Sequence, residues 1–242
     1  MGKVKTIEQY IQEIKETDEL VQMYPDSETL QRKLYTKISA WAKLLDITIF
    51  QSQQEHYPWT SQELGHTVKP MHCKKDTDVD QTGDYMAYCT GGGYSCWIPI
   101  VVERKGAKGK GGADDLYQTL SNTESREKFY REIARFKADK RFFQMFLIAE
   151  CTLDEYLKFV PTFSGYKTRN KNHVSASVAS RQATIAGLYL RGCTVIFAGN
   201  RARAIQMYRD LNRQWILKNY QSVLKIRMPK GDIGRHLPTS EV

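Results

Sequence analysis

The sequence contains no apolar run long enough to cross a bilayer as a helix, and no basic amphipathic helix stands out. Membrane-embedded and membrane-surface roles are therefore not expected. The opening MGKVKTIEQY has none of the apolar core of a secretory signal, so an intracellular location is expected: cytoplasmic or nucleoid-associated, or nuclear in a eukaryote. Cysteine is sparse and scattered. Cys73, Cys89, Cys96, Cys151 and Cys193 form no CxxC pair, which argues for reduced thiols in a cytosol-like compartment. The spacing of His72, Cys73, Cys89 and Cys96 matches no zinc finger or ribbon, so the cysteines read as small hydrophobes in strands. The glycine-rich loop at 106–112, GAKGKGG, is not followed by Gly-Lys-Ser/Thr and comes after a charged strand end, which excludes a P-loop and with it a nucleotide cofactor. Asp76, Asp78 and Asp80 alternate like the start of a calcium loop. Gln81 and Ala87, however, stand where an EF-hand needs glycine and glutamate.

What is present fits one well-packed α/β domain with additions: 242 residues, 41% of them hydrophobic. A net charge of +9 favours a polyanionic partner, and nucleic acid fits best. Helical spacing of Ile7, Tyr10, Ile11 and Ile14, then of Leu30, Leu34, Ile38, Trp41 and Leu44 after Pro25, predicts two helices over 6–46. Short apolar runs at 47–50, 97–102, 142–149 and 194–198 predict buried strands. Helices are expected from 116, over 123–137, 152–159 and 174–191, and from 199 onward. The helix at 123–137 turns Phe129, Ile133 and Phe136 inward and leaves Arg126, Lys128, Arg131, Arg135 and Lys137 outside, which suits either a DNA-facing surface or a solvated face. The tail at 225–242 has proline and glycine without periodicity and is expected to be extended or disordered.

The chemistry concentrates at 83–120. The run at 97–102 is followed by Glu103, Arg104 and Lys105, and residues two apart on a strand share a face, so Glu103 and Lys105 point together. Gly91, Gly92 and Gly93 lie between this strand and Tyr85-Met86-Ala87-Tyr88, a pattern that reads as a hairpin. Antiparallel pairing would carry Asp84 to Glu103. Two carboxylates that close repel unless a divalent cation separates them, and hard oxygen ligands suit Mg²⁺ or Mn²⁺ rather than zinc. A lysine beside them would orient or activate water, or offset charge growing on a phosphate.

Gly83-Asp84-Tyr85, then Val102-Glu103-Arg104-Lys105, then Asp115-Leu116 resembles the G-D-x(n)-E-R-K-x(3)-D signature of the XPF-type structure-specific endonucleases, a family that includes archaeal Hef. The resemblance covers roughly 47–217. It implies a restriction-endonuclease-like nuclease core, a central mixed sheet flanked by helices, at 47–224, with the N-terminal helical hairpin of 1–46 outside the family core. It implies DNA as substrate, with Asp84, Glu103 and Asp115 holding the metal, Lys105 acting on water or transition-state charge, and Arg104 steadying the site. A homodimer through the C-terminal helices is a further implication. The family's usual aspartate after the first strand is Ser52 here, leaving Glu55 as the nearby acid, and residues 106–114 intervene before Asp115 where the family has three. Glu150, at a strand end, reads as either a supporting acid or a helix-entry charge. Lys108 and Lys110 in the glycine loop, and Lys167, Arg169 and Lys171 in the polar, basic stretch at 161–172, are the expected contacts to DNA phosphates. No tandem helix-hairpin-helix domain follows the core, so branched or flap-like DNA is expected from the resemblance alone. A catalytically inactive DNA-binding or scaffold subunit of the same fold is the alternative.

Overall fold

Thr6 starts the first helix by local chemistry: its hydroxyl accepts from the Gln9 backbone, and the Gln9 side chain accepts from the Thr6 backbone, closing a capping box on α1 (Ile7–Met23). The computed structural model describes residues 5–71, 83–106, 111–140, 142–161 and 177–224. After the turn at Pro25, α2 (Glu28–Ala42) runs back along α1, as the two apolar stripes predict. Ile11, Ile14, Leu34, Ile38 and Trp41 share one core with Ile49, Tyr208 and Ile216, so the hairpin packs as part of the same body as the sheet.

Among the described residues the sheet has six strands: β1 (Asp46–Ser52), β2 (Thr67–Met71), β3 (Tyr85–Gly91), β4 (Tyr94–Lys105), β5 (Gln144–Ala149) and β6 (Cys193–Phe197). Their order is β2-β1-β3-β4-β5-β6. β3 runs antiparallel to β1 and β4, and the other pairs are parallel, so the sheet is mixed as expected. The β3–β4 turn has Gly92 at φ 58° and Gly93 at φ 81°, the two left-handed positions of a type I′ hairpin. Cys89 and Cys96 face each other across this hairpin with sulfurs 3.3 Å apart, both buried. The charged triplet does not follow the strand but forms its end, with Glu103, Arg104 and Lys105 paired to Leu147, Ile148 and Ala149 of β5.

Side-chain alternation divides the interior in two. Ile98, Ile100, Val102, Phe146 and Ile148 face the core shared with α1, α2 and α8 (Arg201–Lys218). Val101, Met145, Leu147 and Ala149 face a second core closed by α4 (Gly111–Ser121), α5 (Thr123–Ala138), α6 (Leu153–Lys158) and α7 (Val178–Leu190). The chain is thus α/β, with helices on both faces of a central sheet. The short helix α3 (Ser61–Leu64) and the edge strand β2 have no counterpart in the sequence reading, because four or five residues with Pro70 among them leave no period to read. Ile205, Leu211 and Trp215 of α8 pack against the first core, so this apolar stripe serves the fold itself. A last turn, α9 (Tyr220–Val223), caps that layer. Among the described residues no helix is long and apolar enough to cross a membrane. The tail at 225–242 lies outside the described residues.

Candidate active site

Gly83 sits at φ 75°, and a Cβ there would overlap Val101 and come within 3.1 Å of the Val102 carbonyl, so only glycine admits this approach to β4. The next residue is thereby locked to the strand end. The Asp84 backbone N–H donates to the Val102 carbonyl at 2.9 Å, and Asp84 Oδ2 accepts from the Arg104 backbone N–H at 2.8 Å. The Asp84 carbonyl accepts from the Ser52 N–H at 2.8 Å, which ties in the end of β1. The pairing expected from the hairpin is therefore present: Asp84 lies beside the segment that carries Glu103.

Glu103 and Lys105 do share a face. Lys105 Nζ donates to Glu103 Oε1 at 2.7 Å and rests 5.8 Å from the Phe129 ring centroid. Burial alone would push the Lys105 amine down, but the carboxylates of Glu103, Asp115 and Asp84 outweigh it and hold the group above its ordinary range. It is an ammonium at neutral pH. Burial, then the neighbouring Glu103, pushes Asp84 well above the usual carboxylate range. Burial likewise raises Asp115, against the pull of Lys105.

Asp115 reaches this cluster despite the residues that separate it from Lys105. Its Oδ2 accepts from the Gly106 backbone N–H at 2.9 Å, joining α4 to the end of β4. The close approach depends on Gly112, where a Cβ would stand 2.6 Å from the Glu150 nitrogen and 2.7 Å from the Lys105 carbonyl.

Arg104 points to the other side of the sheet end. Its Nε and Nη2 donate to Glu150 Oε1 and Oε2 at 2.8 and 2.9 Å, and its Nη1 donates to Glu55 Oε1 at 3.0 Å and the Tyr57 carbonyl at 2.8 Å. Trp59 Nε1 adds a third bond to Glu150 Oε1 at 2.9 Å, and its ring stacks on Tyr85 at 4.4 Å. Arg104 is only 3% exposed, so it steadies the site by positioning neighbours. Glu150 is neither a free acid nor a helix-entry charge, since both of its oxygens are bound by Arg104.

One acid escaped the sequence reading. Glu132 of α5 lines the same cleft, and its carboxyl is raised by burial and then by Glu103. The signal was present: Ser125, Lys128, Phe129, Glu132 and Arg135 line the cleft at helical spacing, one stripe of a helix otherwise legible as core plus basic exterior.

The cleft has a volume of about 630 Å³ and is lined by Ser52, Glu55, Asp84, Glu103, Lys105, Asp115 and Glu132, among others. Among the described residues no three His, Cys, Asp or Glu side chains form a ready-made cage for a metal. Mg²⁺ does not require one, because it keeps several waters and takes only one or two carboxylates together with substrate phosphates. Asp84, Glu103 and Asp115 each make a hydrogen bond through one oxygen, and among the described residues the second oxygen of each makes none. This all-oxygen set fits a hard cation. Lys108, Lys110, Lys167, Arg169 and Lys171 lie outside the described residues.

No protein-family model matches this chain, and no curated protein matches it in sequence. Among solved structures it is similar to XPF from Aeropyrum pernix, with 16% identity and a TM-score of 0.43 over 72% of this chain and 68% of that one. A likeness of this size assigns no chemistry to the chain.

Proposed function

We propose that this protein is a divalent-metal-dependent endodeoxyribonuclease that hydrolyses a phosphodiester by water attack, on branched or flap-like DNA. The observation that carries this reading is the 2.8 Å bond from the Arg104 backbone to the Asp84 carboxylate, which brings together an acid, the Glu103–Lys105 pair and, through Gly106, Asp115. Asp84 and Glu103 would hold Mg²⁺ or Mn²⁺, with Asp115 assisting. When bound, the cation polarises the phosphoryl oxygen and acidifies water. As an ammonium, Lys105 donates hydrogen bonds and offsets phosphate charge, so of the two roles expected for it, orientation is favoured over proton abstraction. The Arg104 side chain, held by Glu150 and Glu55, fixes the strand end from behind.

The second reading is a catalytically inactive DNA-binding or scaffold subunit. It is favoured by Ser52, which stands where the resembled family has an aspartate and meets Asp84 only through its backbone N–H. The two readings separate in a nicking assay on flap, fork and plain duplex DNA with Mg²⁺. The nuclease reading expects cleavage by the unaltered chain and a loss of roughly 10²-fold or more in Asp84→Asn and Lys105→Ala. Salt-sensitive binding without cleavage of any substrate would establish the scaffold reading instead, and equal cleavage by the variants would remove these residues from the site.

A further inference from the structure

The main cleft continues past its carboxylates. A second depression, about 570 Å³, is lined by Lys128, Arg131, Ala134 and Arg135, and two of these, Lys128 and Arg135, also line the first. We infer that Lys128, Arg131 and Arg135 form a phosphate-binding ridge along α5 that guides one nucleic-acid strand into the cleft. The inference rests on the reading that the cleft takes DNA, and it assigns the entry side.

Spacings of three and four residues place the three cations on one line of the helix, spanning about 10 Å at 1.5 Å per residue, room for more than one phosphate. Phe129 and Glu132 occupy the adjacent line, turned toward the second core and the cleft. Charge is therefore ordered across the helix, with the acid inside and the cations at the rim. A polyanionic strand approaching the carboxylates of Asp84, Glu103 and Glu132 meets repulsion that the rim cations offset before it arrives. Glu124 and Glu127 stand four residues before Lys128 and Arg131, the usual spacing for helix ion pairs, yet among the described residues neither pair forms. Arg135 lies 3.9 Å from Glu132 with its side chain 53% exposed, a contact loose enough to yield to a phosphate.

The test measures binding without cleavage. The full chain in EDTA is titrated into a short fluorescein-labelled DNA oligonucleotide, single-stranded and as duplex, between about 50 and 200 mM salt. Removal of three phosphate contacts in K128A/R131A/R135A should flatten the log–log salt slope by roughly two to three on duplex, or about two on a single strand, and weaken binding at least tenfold near the lower salt limit. A control with the same loss of charge, K15A/K33A/K43A, removes exposed lysines on and beside α1 and α2 and should change the slope far less. The probe that shows the larger flattening identifies the form of the guided strand. Equal slopes for the ridge variant and the unaltered chain, or equal losses in ridge and control variants, would overturn the ridge. Absence of nicking leaves this assay intact, and nicking with an unchanged ridge slope removes the ridge while leaving the nuclease.

Discussion

Arg104 closes a two-bond fork on Glu150, 2.8 and 2.9 Å, across 46 residues of chain and with almost no exposure to solvent. Such a pair is a weak source of net stability but costly to break from one side, because the survivor is left charged and buried. Arg104→Ala should therefore lose about 3–5 kcal/mol, the cost of leaving a buried carboxylate without its partner. Arg104→Lys should recover only part of this, since an ammonium cannot make the planar fork. Urea denaturation checks both. If Arg104→Ala unfolded at the midpoint of the unaltered chain, the clamp would have no structural role.

Asp84 gives a pH signature of opposite sign. The unfolded residue ionises near 3.8 and the folded one well above, so over that interval the folded chain binds more protons and loses stability as pH rises. Asp84→Asn removes this penalty. In EDTA the variant should melt above the unaltered chain at neutral pH, and its advantage should shrink as pH falls toward 3.8. Adding Mg²⁺ should raise the melting temperature of the unaltered chain more than that of the variant. Identical melting at every pH, with and without metal, would mean that Asp84 is not strained by its surroundings.

Gly112 tests whether the approach of α4 matters to the site. A methyl group at this position meets backbone at 2.6 and 2.7 Å, which cannot rotate away, so Gly112→Ala must displace the helix that carries Asp115. Nicking should fall at least tenfold through loss of positioning, with DNA binding at the α5 ridge little changed. A variant that cleaves normally would place Asp115 outside the reaction.

The segment that carries Glu55 and Trp59 has its own anchor. Arg201 donates to both Glu63 oxygens at 2.7 and 2.8 Å and to the Pro58 carbonyl at 2.7 Å, and its hydrogen bonding holds the Glu63 carboxyl down at about 2. A lowered carboxyl stabilises the fold above its unfolded value of 4.5, and that contribution fades as pH falls from 4.5 toward 2. Glu63→Gln should therefore lower the melting temperature near neutral pH, by a modest amount for a pair about one-third exposed, and the difference should diminish through that window. A difference that grew on acidification would contradict the pairing.

Glu103 and Lys105 were legible as a pair because two residues apart on a strand must share a face, and Asp84 was legible because the glycine turn fixes which ends of a hairpin meet. The same alternation sends Arg104 the other way, but its partners lie far along the chain, Glu150 after β5 and Glu55 after β1, and no local period encodes such a meeting. Glu132 was hidden differently. Its helix has an obvious core face, and the stripe beside that face becomes the wall of a cleft only once α5 is laid against the end of β4.

The order of charged, glycine and β-branched residues by itself determined a mixed α/β sheet, a helical pair before it, and an acid–lysine pair at the end of the central strand. These follow from steric and hydrophobic periods that act over a few residues. Only the tertiary structure decided that Glu150 is gripped by Arg104, that Gly112 lets α4 bring Asp115 in, and that a fourth acid arrives from α5. Those outcomes depend on the packing of segments distant in sequence, where burial and close approach set the charge and direction of each side chain.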